Sequence, residues 1–347
     1  MKYSRNELNK AGYDLIGLDP FKRQEAYEII SQWRQTHLPV LRILNEDISR
    51  YISELKIPFE FASQRIKRMT SIEDKLYYNR ERKMGLGGLQ DIGGIRYVFS
   101  NIEYLEAFDK ALSSYVPAGF TKERKDDYIN DISKDSGYRS IHYVYQYHSE
   151  VKDLDGLKIE LQIRTKLQHS WAMAVETASL ISKTSLKAEI NDNSEWRKFF
   201  LLASVIFAKQ ENKKIHPKYA TYSDKELCQE YFSYADHKLI DQLKALRVTV
   251  DKAMEINNSE EGYCILIINF EKKVVHFQLY ELDDPDKVSK NFTRIESNLK
   301  ENEAALMVSM EKMDELRKAY PSYFLDTDEF INNLDVFEQN CVVLNYK

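Results

Sequence analysis

Residues 157–172 read LKIELQIRTKLQHSWA, and the first half of that stretch permits few structures. Ile159, Leu161 and Ile163 alternate with Glu160, Gln162 and Arg164. A period of two places the apolar side chains on one face of a strand, and an acid, an amide and a base on the other. A chain built this way must fold around a sheet that buries one face. The ordinary fate of the other face is solvent, and a strand carrying Glu, Gln and Arg reads first as a solvated edge.

The period changes along the chain. YSRNELNKAG predicts a short helix ended by Gly12. From Pro20 to Ile57, the residues Phe21, Ile29, Ile30, Trp33, Leu41, Leu44 and Ile48 recur near helical spacing, and Pro39 divides them into two helices. Ser71 is a capping candidate for a helix beginning SIEDKL, which GLGGLQ breaks. GIRYVFS then predicts a strand, IEYLEAFDKALSSY a helix, and RSIHYVYQYHSE a second strand with Ile141, Tyr143, Tyr145 and Tyr147 on one face. The turn at Asp155-Gly156 joins that strand to LKIELQIRT as a hairpin. The pattern is helical from Gln168 to about Lys209. A second sheet region begins near Tyr263 with YCILIINF and VVHFQLYEL. It is followed by a helix over DPDKVSKNFTRIESNLKENE, a strand AALMVSM, a helix MDELRKAY and a last helix whose cap is Asp326 or Thr327.

Composition removes several classes. In 347 residues there are only 11 Gly and 7 Pro, which disfavours long flexible linkers. Cys228, Cys264 and Cys341 are far apart and form no CxxC pair, so neither a Cys-rich zinc site nor a disulfide framework is expected, and a reducing cytoplasm suits the chain. The N-terminus lacks the apolar core of a signal peptide, and the apolar run CILIINF is too short to span a bilayer, so no membrane partner is expected. The net charge of −5 hides a local cluster. Between Arg65 and Lys83 seven basic residues stand against three acids.

Three polar groupings accompany the first sheet. Asp91 opens DIGGIRYVF, where Gly93 and Gly94 allow close approach to the backbone. Glu160 lies in mid-strand. Arg65, Lys67, Ser71 and Lys75 belong to the basic cluster, with Ser71 and Lys75 on one helical face. Two carboxylates held by a sheet suit Mg²⁺ or a proton, and several cations aimed at one place suit a triphosphate. Together they describe metal-assisted phosphoryl-type transfer. Singly, each has a plain reading as a solvated helix face, turn chemistry or an exposed tyrosine.

In order, RIKRMTSIEDKL, DIGGIRYVF, DYINDISKDSGYRSIHYVYQY and IELQIRTKLQHSWA resemble the successive motifs of the RelA/SpoT synthetase domain, over about residues 40–185. These enzymes move pyrophosphate from ATP to a ribose 3′-hydroxyl. The resemblance implies an α+β fold, a nucleotidyltransferase-like mixed sheet flanked by helices. By that resemblance Glu160 is the carboxylate that takes the hydroxyl proton and helps hold Mg²⁺, and Asp91 is the principal Mg²⁺ ligand. Arg65 and Lys67 hold ATP, with Arg65 stacking on adenine, and Ser71, Lys75 and Arg96 contact phosphates. Tyr138 stacks on the acceptor base, while His142, Gln162 and Arg164 are acceptor-side and supporting residues. The family's hydrolase domain is not expected before residue 60.

The N-terminal segment and the tail RKAYPSYFLDTDEFINNLDVF resemble the CapRel type of fused toxin–antitoxin synthetase, which acts in anti-phage defence. That resemblance divides the chain into a pyrophosphokinase domain (1–185), a helical connection (186–245) and a regulatory domain (246–347) shaped like a zinc finger without zinc. It implies that Tyr320 and Tyr323 occlude the ATP site until a phage protein binds the C-terminal domain. It also implies that the acceptor is the 3′-terminal adenosine of tRNA. Lys2, Arg5, Lys10, Lys122, Arg124, Lys125 and the Arg65–Lys83 cluster are candidates to meet an RNA backbone. The alternatives are GDP, GTP or adenine nucleotides as acceptors, giving alarmones or their adenosine analogues, and a catalytically inactive nucleotide or RNA sensor.

Overall fold

The computed structural model describes residues 3–82, 85–131, 136–185, 195–235, 249–250, 262–269, 272, 274–281, 285–300, 303–310 and 327–346. Lys2, Lys83, the segment MDELRKAY and both Tyr320 and Tyr323 lie outside the described residues.

The fold is mixed α+β. Three helices come first: α1 (Arg5–Leu15), α2 (Pro20–Gln35) and α3 (His37–Glu54). Ser4 and Glu7 start α1 with a reciprocal capping box. Gly12 does not end this helix. It lies inside α1, where a Cβ would stand 2.9 Å from the Cβ of Leu86, so glycine there permits close packing. Nor does Pro39 divide α2 from α3. The break is at Thr36, and Pro39 sits in the first turn of α3, where a helix needs no backbone donor.

Next come β1 (Phe61–Ile66), α4 (Met69–Tyr78), β2 (Gly93–Phe99), α5 (Ile102–Ser114), β3 (Phe120–Asp127), β4 (Ile141–Tyr147) and β5 (Lys158–Thr165). Ser71 is in the first turn of α4 rather than at its cap, a place taken by Arg68. The mostly polar β3, FTKERKDD, has no apolar alternation to announce it; its ladder to β4 makes it a strand. Helices α6 (Lys166–Ser185), α7 (Glu195–Gln210) and α8 (Asp224–Ala235) follow. The C-terminal part adds β6 (Thr249–Val250), β7 (Gly262–Asn269), β8 (Val274–Glu281), α9 (Pro285–Ser297), β9 (Glu303–Met310) and α10 (Asp328–Val343).

Among the described residues the strands make one nine-stranded sheet in the order β3-β4-β5-β2-β1-β9-β7-β8-β6. The second sheet region is therefore continuous with the first, through Gln64 opposite Ser309 and Arg65 opposite Val308. Strands β2 and β5 run parallel at the centre of the N-terminal half, with antiparallel neighbours on either side. Strand β5 is thus interior, and its polar face is no solvated edge.

The apolar face of β2, β4 and β5 carries Ile95, Tyr97, Phe99, Ile141, Tyr143, Tyr145, Ile159, Leu161 and Ile163, all buried in one core with α3 and α5. Two of these tyrosines tolerate this because their hydroxyls reach polar partners at the core's rim: Tyr143 bonds the Asp109 carboxylate at 2.6 Å and Tyr97 meets Ser49 Oγ at 2.7 Å, whereas the Tyr145 hydroxyl is buried with no hydrogen-bond partner. A second core forms around α6, α7, α8 and α10. There the expectation of unpaired cysteines fails. Packing of α8 against α10 brings Cys228 and Cys341, 113 residues apart, into a disulfide. Sequence distance between cysteines does not report the folded distance, which is why the pair escaped notice.

Candidate active site

The polar face opposite the core is laid out by strand register. Directly opposite residues share a face. One row runs Arg65, Gly94, Glu160 and Val144 across β1, β2, β5 and β4. The next runs Ser63, Arg96, Gln162 and His142. A third places Phe61, Val98 and Arg164 side by side. Residues from four separated stretches of sequence therefore converge on one patch of sheet.

Within it five side chains close a hydrogen-bonded ring. Gln162 Nε2 donates to Glu160 Oε1 (2.5 Å), and Arg164 Nη2 donates to Gln162 Oε1 (2.9 Å). The same Arg164 nitrogen donates to the Tyr138 hydroxyl oxygen (2.5 Å), and that hydroxyl meets His142 Nε2 at 2.7 Å. His142 Nδ1 returns to Glu160 Oε2 at 3.3 Å. Every proton has a place if His142 is neutral with its proton on Nδ1: Tyr138 donates to Nε2, and Nδ1–H donates to Glu160. Arg164 Nε adds a bond to Ser140 Oγ (3.3 Å). Ser140 belongs to the GYRS motif, where a small hydroxyl residue between Tyr138 and His142 was the available signal.

The charges respond to these contacts. Burial alone would raise Glu160, but the His142 and Gln162 donors outweigh it and hold the carboxyl at about 2. Burial would likewise raise the Tyr138 phenol, yet Arg164 and His142 bring it down to about 8. Burial opposes the charged form of His142, while Tyr138 and Glu160 favour it, and the net shift is upward.

Asp91 lies just before β2, beside this ring. Lys67 Nζ (2.8 Å) and Lys75 Nζ (3.0 Å) both bond its Oδ2. Burial would raise the carboxyl, but the two ammonium groups hold it well below the usual carboxylate range. Burial lowers Lys67 despite the Asp91 partner. Asp91 Oδ1 is buried with no hydrogen-bond partner. The negative charge of Asp91 acts to raise Glu160, so the two carboxylates feel each other. Among the described residues no cluster of three or more acidic, His or Cys side chains could hold a metal alone. Two ionised carboxylates, one with an idle buried oxygen, fit Mg²⁺, which takes one or two carboxylates and completes its shell with phosphate oxygens and water.

The structure thus gathers Asp91, Lys67 and Lys75 in one group, and Glu160, Gln162, Arg164, Tyr138 and His142 in another. Ser71 stands one turn before Lys75 on α4, and Arg65 and Arg96 share the sheet face. Tyr138 is half-buried rather than outstretched, with Arg164 over its ring at 5.0 Å and Trp171 edge-on at 6.5 Å. The basic residues of β3 are already engaged: Lys122 with the Leu112 and Ser113 carbonyls, Arg124 with Asp126, and Lys125 with Asp109. Among the described residues no helix is long and apolar enough to cross a membrane.

Residues 64–185 match the family model described as a region found in RelA / SpoT proteins. The matched stretch begins within β1 and contains Arg65, Lys67, Asp91, Tyr138, His142 and Glu160. Among solved structures, the chain is similar to small alarmone synthetase 1 from Bacillus subtilis, at 25% identity over 53% of this chain and 91% of that one, with a TM-score of 0.41. It is also similar to small alarmone synthetase 2 from Bacillus subtilis, at 22% identity over 56% and 95%, TM-score 0.41. A GTP pyrophosphokinase family protein from Streptococcus pneumoniae gives 22% identity over 54% and 89%, TM-score 0.41. No curated protein matches the chain.

Proposed function

We propose that the chain is an ATP-dependent pyrophosphokinase that transfers the β,γ-pyrophosphoryl group of ATP to a ribose 3′-hydroxyl. The observation that carries this reading is the pairing of Asp91, which has two lysines on one oxygen and a second oxygen left over, with an ionised Glu160 that feels its charge and lies opposite the bare backbone of Gly94. Such a face suits phosphate-bound metal on one side and a hydroxyl on the other.

In this reading Arg65 stacks on adenine, and Lys67, Ser71, Lys75 and Arg96 hold the phosphates. Lys67 and Lys75 turn from Asp91 to the triphosphate as it arrives. Tyr138 leaves the ring to stack on the acceptor base, with His142, Gln162 and Arg164 behind it. The 3′-oxygen forms a bond to the β-phosphorus, the bond from that phosphorus to the α,β-bridging oxygen breaks, and AMP departs with that oxygen. The hydroxyl proton passes to Glu160, whose carboxylate the His142 donor keeps oriented. Asp91 Oδ1 and Glu160 would hold Mg²⁺, which when bound neutralises phosphate charge.

On the CapRel resemblance the acceptor is the 3′-terminal adenosine of tRNA, and the modification blocks translation. Residues 1–185 then form the toxin, 186–245 the connection, and 246–347 a metal-free, zinc-finger-like antitoxin unit. In the same reading Tyr320 and Tyr323 close the ATP site until a phage protein binds that unit. ATP labelled on its β- and γ-phosphates, offered with tRNA, GDP, GTP or AMP in separate reactions, is the test. Label on tRNA alone is expected. Label on a nucleotide instead replaces the tRNA reading with alarmone-type synthesis, and label on none overturns the enzymatic reading in favour of a sensor.

A further inference from the structure

The C-terminal part of the chain reaches the proposed donor site by a route separate from the tail tyrosines. On α9, Val288, Phe292 and Glu296 lie at successive four-residue intervals and form one buried stripe. An acid occupies a core position of that stripe. Its carboxylate grips Arg34 of α2 at 2.6 Å, with both side chains only 3% exposed. Its Oε1 also accepts the backbone N–H of Met69 at 2.8 Å.

Met69 is the first residue of α4, and its amide is one of those a helix start leaves without an internal partner. Arg68, at the cap position, makes no side-chain cap bond. Glu296 therefore caps α4 from 227 residues away, with a negative charge where the helix dipole favours one. Helix α4 carries Ser71 and Lys75. The strand before it is held by the same C-terminal part, because β9 pairs with Gln64 and Arg65. Both ends of the segment from Gln64 to Met69, with Arg65 and Lys67 between them, are thus fixed by α9 and β9.

We infer that Glu296 is a positioning residue for the donor site: as a distant cap of α4 it sets Ser71 and Lys75 for the triphosphate, and it makes ATP use depend on how α9 is docked. This rests on the pyrophosphokinase reading for its substrate but not for its mechanics. A buried ion pair is poor evidence of stabilisation on its own, and apolar replacement of both partners is often tolerated. That tolerance allows the cap to be separated from the pair. The variant Arg34→Met/Glu296→Gln removes both charges and keeps an oxygen for Met69 N–H. The variant Arg34→Met/Glu296→Leu removes the charges and the oxygen.

Two measurements on the full chain decide. One is KM for ATP against KM for the acceptor; the other is hydrogen exchange of the α4 amides. The Leu-bearing variant should raise KM for ATP about tenfold, the factor that ~1.4 kcal/mol represents, and leave the acceptor KM unchanged. Its α4 amides should exchange faster, while the Gln-bearing variant restores both values. If the Leu-bearing chain does not fold, Glu296→Asp, which shortens the reach, takes its place with the same expectations. Equal ATP KM and equal α4 exchange in the two double variants overturn the inference. So does a parallel rise in both KM values, which a merely structural role would give. Should the transfer reading itself be wrong, the wild-type chain transfers nothing while α4 exchange still answers to the variants. A failed cap instead leaves exchange unmoved in a chain that transfers normally.

Discussion

Glu160→Gln tests the polar ring and the chemistry together. The carboxylate receives two donors, His142 Nδ1–H on one oxygen and the Gln162 amide on the other. Glutamine offers one oxygen, so one of these buried donors loses its acceptor, at a cost of about 1–3 kcal/mol. The pH dependence follows from the same contacts. The wild-type carboxyl is held at about 2 against an ordinary 4.5. A depressed carboxyl contributes stability that is present above its unfolded value and lost as pH falls through the folded one. For Glu160 that window runs from about 4.5 down to about 2, and the contribution at neutral pH is of order 3 kcal/mol, shared with His142. Urea midpoints of wild type and variant, taken near pH 7 and near pH 3, should therefore differ more at the higher pH. Transfer near pH 7 should fall at least about 10²-fold, because an acid–base and metal-holding charge is gone. A variant whose midpoint tracks wild type equally at both pH values shows that Glu160 is not held as described. A variant that transfers at the wild-type rate removes Glu160 from the chemistry.

Asp91→Asn should also cut transfer by at least about 10²-fold while far-UV circular dichroism is unchanged, and the loss should not be repaired by excess Mg²⁺. Normal transfer would take Asp91 out of the metal site. Tyr138→Ala should weaken acceptor binding by about 1–3 kcal/mol, read by calorimetry, with ATP affinity nearly constant; the reverse pattern places Tyr138 on the donor side. Replacing Tyr320 and Tyr323 by Ala should make expression toxic to cells, and adding Glu160→Gln should abolish the toxicity. A folded double variant as harmless as wild type returns the two tyrosines to ordinary packing. Cys228→Ala/Cys341→Ala should lower stability by about 2–4 kcal/mol, and reductant should bring wild type to the same melting temperature. Identical melting of all three samples means that the bond contributes nothing to the fold.

The sequence displayed the site better than its setting. Alternation in KIELQIR and in RSIHYVYQY was enough to place Glu160, Gln162 and Arg164 on one face and the Ile and Tyr side chains on the other, because a half-buried strand writes its two environments in period two. It could not show that β5 is interior. That depends on β2 lying parallel beside it, a pairing between residues more than sixty positions apart with no local signal. Strand β3 was invisible for the opposite reason, since FTKERKDD is polar on both faces and is made a strand by its neighbour β4. The ring from Tyr138 through His142 to Glu160 was legible only as separate motifs; its closure needs the hairpin register that sets His142 opposite Gln162. Nor does any local pattern announce that Glu296, an unremarkable acid in TRIESN, is buried and caps a helix more than two hundred residues earlier.

The adjacent glycines 93 and 94 stand on opposite sides of the sheet, and they answer to different constraints. A methyl group on Gly93 would press within 2.7 Å of Ile159 Cδ1 and within 3.1 Å of Leu41, so a side chain there fits the hydrophobic interior only if the end of Ile159 and the Leu41 side chain shift. At Gly94 the same methyl would meet nothing nearer than the Glu160 carbonyl oxygen, 3.9 Å away. The folded chain has room for alanine at 94. What the missing side chain leaves is a flat floor between Arg65 and Glu160, and a guest lying on it touches peptide backbone. Tolerance of folding and tolerance of occupancy are therefore uncoupled at this position. A sequence free to drift under selection for stability alone could exchange Gly94 for alanine with little penalty, whereas under the proposed pyrophosphokinase reading that methyl would stand on the floor between those two side chains.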